Sequence, residues 1–87
     1  NYEIIIQDAR QWRKDFFVLP KDEQTKVLNK IKKLQKNPFT SHNVKKLQHY
    51  DLADFRLRVG SYRILFLVHS NEKEIILLRC LHRSKLY

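Results

Sequence analysis

The 87-residue chain has one cysteine, one glycine, two prolines and no methionine. The lone Cys80 cannot close an internal disulfide, and no Cys/His pairs stand at zinc-finger spacing. Neither a disulfide scaffold nor a structural zinc is therefore expected. A single thiol suits a reducing compartment, so the expected location is cytoplasmic. No apolar run approaches the ~20 residues that a membrane span requires, and the start lacks the charged-then-apolar layout of a signal peptide. Without methionine, the chain is expected to begin after its initiator. Acidic residues are scarce as well: nine Asp and Glu stand against 18 Lys and Arg, for a formal net charge of +9. Such an excess points to nucleic acid, an acidic membrane surface or an acidic protein as partner. For Lys26, Lys30, Lys32, Lys33 and Lys36, which share one helix, the competing reading is a solvated side.

There are no repeats, low-complexity tracts or Gly/Ser-rich linkers, and residues 1–87 read as one domain. Ile4-Ile5-Ile6 is a short β-branched run that reads as a first strand. Asp8 is placed to cap a following helix whose face carries Ala9, Trp12 and Phe16, extended by Phe17 and Leu19. Pro20 breaks that helix and suits the first turn of the next. In the second helix, Asp22 and Glu23 lie near the positive end of the dipole and Lys33 and Lys36 near the negative end. Val27, Leu28, Ile31 and Leu34 form its apolar stripe, and Asn37-Pro38 stops it. So short a connection makes the two helices an antiparallel hairpin.

After a loop from Phe39 to about Asn43 comes a basic approach segment, Val44-Lys45-Lys46-Leu47, and then strand pattern to the end. Asp54 to Val59 turns at Gly60-Ser61 into Tyr62 to His69. A polar turn around Ser70-Asn71-Glu72-Lys73 leads into Glu74 to about Leu81. Tight turns make these three strands an antiparallel meander. The expected fold class is α+β: an N-terminal strand, a helical hairpin, then a three-stranded antiparallel meander, with helices on one sheet face. The expected core holds Ile4, Ile6, Trp12, Phe16, Leu28, Ile31, Leu34, Phe55, Leu57, Ile64 and Phe66.

The strand Phe55-Arg56-Leu57-Arg58-Val59 alternates apolar and cationic residues, so one face is greasy and the other positive. A Gly-Ser turn with Gly at its first central position pairs Val59 with Tyr62 and sets Arg58 opposite Arg63. Like charges directly opposite each other destabilise a sheet, whereas an anion laid across them makes the arrangement favourable. Phe55, Leu57, Val59, Tyr62, Ile64, Phe66 and Val68 are expected beneath the helices. The other face takes Arg56, Arg58, Arg63, Leu65, Leu67 and His69, joined by Ile76, Leu78 and Cys80 if the second turn has an even number of residues. An open face both cationic and partly apolar suits a nucleic acid, because arginine grips phosphate and stacks on bases.

Leu47, then Asp54-Phe55-Arg56-Leu57-Arg58-Val59-Gly60-Ser61-Tyr62-Arg63-Ile64-Leu65-Phe66, then His82-Arg83-Ser84-Lys85-Leu86-Tyr87 resembles the RelE/ParE superfamily of bacterial toxin–antitoxin toxins. The likeness covers essentially the whole chain and is closest to the RelE-like mRNA interferases. It implies a ribosome-dependent endoribonuclease that cuts mRNA in the ribosomal A site without metal or other cofactor and inhibits translation. The ribose 2′-hydroxyl is the nucleophile and a cyclic phosphate is left behind. That chemistry needs deprotonation of the 2′-oxygen, charge stabilisation on the phosphate and protonation of the leaving 5′-oxygen. By motif, the implied catalytic residues are Arg56 and Arg58 on one strand, Arg63 on the next, and Arg83 and Tyr87 at the end. Lys45, Lys46 and His82 are the implied RNA-binding residues, and a cognate acidic antitoxin is the implied partner.

Three departures from the family pattern matter. The strand pair, often lysine, is arginine here, and arginine stays protonated, which suits phosphate clamping better than base catalysis. The spacing from Arg83 to Tyr87 is short, so an alignment anchored on Tyr87 alone puts Leu81 in the late arginine's place. Position 81 is leucine where glycine is common. Plainer readings stand beside each site residue. Arg63 would form a salt bridge to Glu74 or Asp54, and Arg56 and Arg58 would be polar positions on a half-exposed strand. His82 is either a proton shuttle or a turn residue orienting Arg83. Tyr87 either stacks on a base or is a tail residue. His42, His49 and His69 read as surface residues, and Cys80 as sheet filler. Two other functions share the fold: a ParE-like inhibitor of DNA gyrase, and a non-catalytic nucleic-acid-binding domain.

Overall fold

The computed structural model describes residues 1–39, 43–48 and 53–86. Along the chain run β1 (Glu3–Ile6), α1 (Ala9–Phe16), α2 (Lys21–Lys36), β2 (Val44–Lys46), β3 (Phe55–Val59), β4 (Tyr62–His69) and β5 (Glu74–His82), then a short 3₁₀ helix, Arg83–Lys85. The architecture is the expected α+β one. The meander β3–β4–β5 is the body of a five-stranded sheet ordered β1-β5-β4-β3-β2. β1 lies parallel to β5, with Ile5 beside Ile76. The basic approach segment is itself a strand, since Val44 to Lys46 pair antiparallel with Leu57 to Phe55.

Local chemistry explains the helical hairpin. The Asp8 side chain accepts a hydrogen bond from the Gln11 N–H at 3.1 Å and so caps α1. The Leu19 N–H turns back to the Phe16 carbonyl, and Pro20, extended, hands over to α2. Asp22 and Glu23 occupy the first turn of α2 and Lys33 and Lys36 the last, each complementing the helix dipole. Asn37, forced extended before Pro38, ends the helix.

The hairpin buries Trp12, Phe16, Leu19, Val27, Ile31 and Leu34 against Leu57, Val59, Ile64, Phe66, Ile75, Leu77 and Cys80 of the sheet. Full burial of a side chain such as Phe66 or Leu57 contributes about 1.5–3 kcal/mol. Ile4 and Phe55 are half-buried and pack against this core. Three expectations need correction. Leu28 is 49% exposed, because the buried stripe of α2 runs through Val27, Ile31 and Leu34, and Leu28 lies one helical step off it. Ile6, ending the edge strand β1, is 41% exposed. Phe17 falls one residue past α1 and turns outward, its ring meeting only the edge of Phe16 among the ring contacts of the described residues.

The third strand brings a correction of another kind. The β4–β5 turn holds four residues, Ser70 to Lys73, with Lys73 in the left-handed region at φ 54°. Pairing then runs evenly until Phe66 meets Leu77 while Leu65 meets Arg79, so Leu78 is an extra residue in β5. This bulge flips the alternation beyond it. Ile76 and Leu78 do join Leu65 on the face away from the helices, with Ala53 and Leu86 packed over them. Cys80 instead enters the helix-side core. Among the described residues no helix is long and apolar enough to cross a membrane.

Candidate functional site

The β3–β4 hairpin is built around Gly60. Its φ of +58° favours glycine, and a Cβ there would stand 3.3 Å from Glu23 Oε2. With that turn, Val59 pairs with Tyr62, Arg58 with Arg63 and Arg56 with Leu65. β2 adds Lys45 directly opposite Arg56. Two like-charged cross-strand pairs thus sit side by side on three adjacent strands, and Asn43, Lys45, Arg56, Arg58 and Arg63 line a concavity of about 300 Å³.

The opposed arginines are drawn apart by oxygen acceptors. Arg63 Nη1 donates to the main-chain carbonyls of Gly60 and Tyr62, both at 2.9 Å, folding back toward the turn. Arg58 Nη2 donates to Asn43 Oδ1 at 3.1 Å, leaning toward the outer strand. Glu74, one carboxylate expected to compete for Arg63, faces His69 across the next turn at 3.7 Å. The arrangement can grip a polyanion: several cationic donors, directed by fixed neighbours, converge on one hollow.

The other site residues lie elsewhere. Arg83 is exposed, and its main-chain N–H donates to the Ser61 carbonyl at 2.8 Å, which ties the chain after β5 to the hairpin tip. His82 pairs with Tyr62 on the helix side, its ring edge-on to the tyrosine at 5.4 Å between centroids. Its Nδ1 accepts from the Ser84 N–H at 3.2 Å and so caps the 3₁₀ helix that begins with Arg83. Lys46 pairs with Phe55 and belongs to the face opposite Lys45. Tyr87 lies outside the described residues, as do His42 and His49.

Sequence reasoning missed two features. Asn43 has no local signal, because its partner Arg58 is 15 residues away. The other is an ion pair behind the bulge. Asp15 on α1 accepts from Arg79 Nε at 2.7 Å and Nη2 at 3.0 Å, from the Cys80 N–H at 3.1 Å and from Gln11 at 3.0 Å. Burial pushes the Asp15 carboxyl up, but the hydrogen bonds from Arg79, Cys80 and Gln11, with the charge of Arg79, outweigh it and hold it below its ordinary 3.8. Burial, reinforced by the Asp15 charge, pushes the Cys80 thiol up to about 12.

The model of the phage-derived Gp49-like proteins (DUF891) matches residues 14–85. The chain belongs to that family. It is a RelE-type family, and the fold is that of the RelE/ParE superfamily. The chain is similar to a chain of the archaeal RelE–RelB complex from Pyrococcus horikoshii OT3, with 28% identity over 97% of each chain and a TM-score of 0.79. Against the RelB–RelE antitoxin–toxin complex of Methanococcus jannaschii the identity is 27%, over 95% of this chain and 94% of that one, with a TM-score of 0.72. The YoeB/ParE toxin from Agrobacterium tumefaciens shares the fold at 14% identity, over 92% of this chain and 96% of that one, with a TM-score of 0.73. No curated protein matches the chain by sequence.

Proposed function

We propose that the chain is the toxin of a toxin–antitoxin pair and acts in the cytoplasm as a ribosome-dependent mRNA endoribonuclease. The observation that carries this reading is the convergence of Lys45, Arg56, Arg58 and Arg63 from three strands on one hollow. Likeness to toxins crystallised with their antitoxins supports an antitoxin partner, and a net charge of +9 suits an acidic one.

In this reading the scissile phosphate lies in the hollow. The ribose 2′-oxygen gives its proton to water and attacks phosphorus, the bond from phosphorus to the 5′-oxygen breaks, and the 5′-oxygen takes its proton from water. The products are a 2′,3′-cyclic phosphate and a 5′-hydroxyl. Arg58 and Arg63 stabilise the dianionic phosphorane, with Arg56 beside them as a phosphate clamp. Arg83 supports the leaving oxygen, and Tyr87 stacks on a base or assists the 2′-hydroxyl. Lys45, which lines the hollow, holds flanking RNA, whereas Lys46 and His82 lie on the other side of the sheet and take no part in this reading. None of the described side chains lining the hollow is a carboxylate or imidazole. Cleavage is then slow in free solution and gains its rate from the ribosome, which aligns the RNA for in-line attack.

The same feature also suits a domain whose face binds nucleic acid without cutting it, and the fold is shared by ParE-like gyrase inhibitors, which have no nuclease site. Primer extension on mRNA from cells expressing the chain separates the nuclease from these. New 5′ ends that vanish with Arg63→Ala support the nuclease. Intact mRNA with stalled gyrase establishes the alternative.

A further inference from the structure

Arg58 and Arg63 are held by different kinds of partner. Two main-chain carbonyls, which no substitution deletes, accept from Arg63. Arg58 is steered by a side chain. Asn43 is joined to it twice: the Arg58 N–H donates to the Asn43 carbonyl at 2.9 Å, and Nη2 donates to Asn43 Oδ1 at 3.1 Å. The first bond fixes strand to strand and survives a change of side chain. The second aims the guanidinium. A free arginine side chain samples many rotamers, and opposite another arginine it is repelled as well. An amide oxygen at the lip of the hollow, neutral and anchored by its own main chain, selects one direction without cancelling the charge.

We infer that Asn43 is a positioning residue which acts on cleavage through Arg58. The inference rests on the endoribonuclease reading and adds a residue to it. Without the Asn43 amide, Arg58 keeps its charge and still attracts RNA but no longer meets the phosphorane in a fixed place. Loss is therefore expected in the rate at saturation rather than in affinity.

The test is single-turnover cleavage of mRNA on programmed ribosomes by the full chain, with Asn43→Ala, Arg58→Ala and the double variant side by side. Salt dependence of binding is measured in parallel with an RNA carrying a 2′-deoxy sugar at the cut position. Asn43→Ala is expected to slow the saturated rate by about ten- to a hundredfold. Its half-saturating concentration should stay within about twofold of the parent. The double variant should cut no more slowly than Arg58→Ala alone. In binding, Asn43→Ala leaves the salt slope unchanged, whereas Asn43→Asp, which places a carboxylate against Arg58, lowers it by about 0.7. If Arg58→Ala is impaired while Asn43→Ala cuts at the parental rate, or if the two losses multiply in the double variant, the inference fails and the nuclease reading stands. Parental cleavage by Arg58→Ala overturns the role given to that arginine, and this inference with it.

Discussion

The two faces of the sheet are made from alternate residues of the same strands, yet they carry different burdens. On the helix side, Leu57, Ile64 and Phe66 are buried in a single apolar core. On the far side the same strands present Arg58 and Arg63, and only toward β5 does that face close again, over Leu65, Ile76 and Leu78 beneath Ala53 and Leu86. Neighbours in sequence therefore differ in what they hold. Ile64 holds the fold and Arg63 holds the site. An alternating strand lets a small domain crowd positive charge on one face while its other face supplies the cohesion that tolerates the crowding.

That division is sharpest when adjacent residues are truncated. Ile64→Ala should lower unfolding free energy by about 2–5 kcal/mol in chemical denaturation, a large share of what a domain of this size has. A loss below about 1 kcal/mol would mean that the central strand is not where the core closes. Next in size, Arg63→Ala should reduce mRNA cleavage about 10²-fold, the scale of one preorganised charge donor, while its stability stays within about 1 kcal/mol of the parent. Toxicity of Arg83→Ala should fall with it. Full toxicity in both variants, with mRNA uncut, breaks the assignment of the far face to cleavage.

Asp15 sharpens the comparison from the helix side, where a charge is tolerated because it is fully bonded. Asp15→Asn should cost about 1–3 kcal/mol at neutral pH. The larger penalty of a broken buried pair does not apply, since the Arg79 side chain is 39% exposed and regains water. The Asp15 carboxyl is held below its ordinary 3.8, so its contribution is complete above that value and is lost as pH falls further through the folded-state value. The gap between parent and Asp15→Asn should close on acidification; a constant gap from pH 7 to about pH 2 would show that the charge is not its source. Smallest of all, Leu28→Ala should change stability by less than about 0.5 kcal/mol, because the side chain lies off the buried stripe. A loss like that of Ile31→Ala would put Leu28 in the core after all.

Much of this was legible in the sequence. Two-residue alternation through Phe55–Val59 and the Gly60 turn determine the hairpin register, and with it the meeting of Arg58 and Arg63. Asp8, Pro20 and Pro38 mark the helix limits by chemistry that needs no tertiary knowledge. What was hidden depends on partners distant in the chain. The extra residue Leu78 has no compositional mark, so the side taken by Cys80 could not be read from counting alone. Val44–Lys46 is too short and too charged to announce a strand and becomes one only because β3 offers an edge. Asn43 and Asp15 gain their roles from Arg58 and Arg79, and neither is near its partner in sequence.

The parallel pairing of β1 with β5 has a consequence for how the molecule comes into being. β5 follows the other four described strands in the chain and yet lies inside the sheet, between β1 and β4. Until it arrives, the first strand waits without its neighbour, α1 lacks the surface that Asp15 grips, and Arg83 has not been made. Contacts this distant in the chain form late, because the whole loop between them must close first. A nascent chain interrupted before about residue 74 therefore carries most of the arginine hairpin on an unfinished sheet. The sheet closes, and on the proposed reading becomes dangerous, only when β5 slots into the middle.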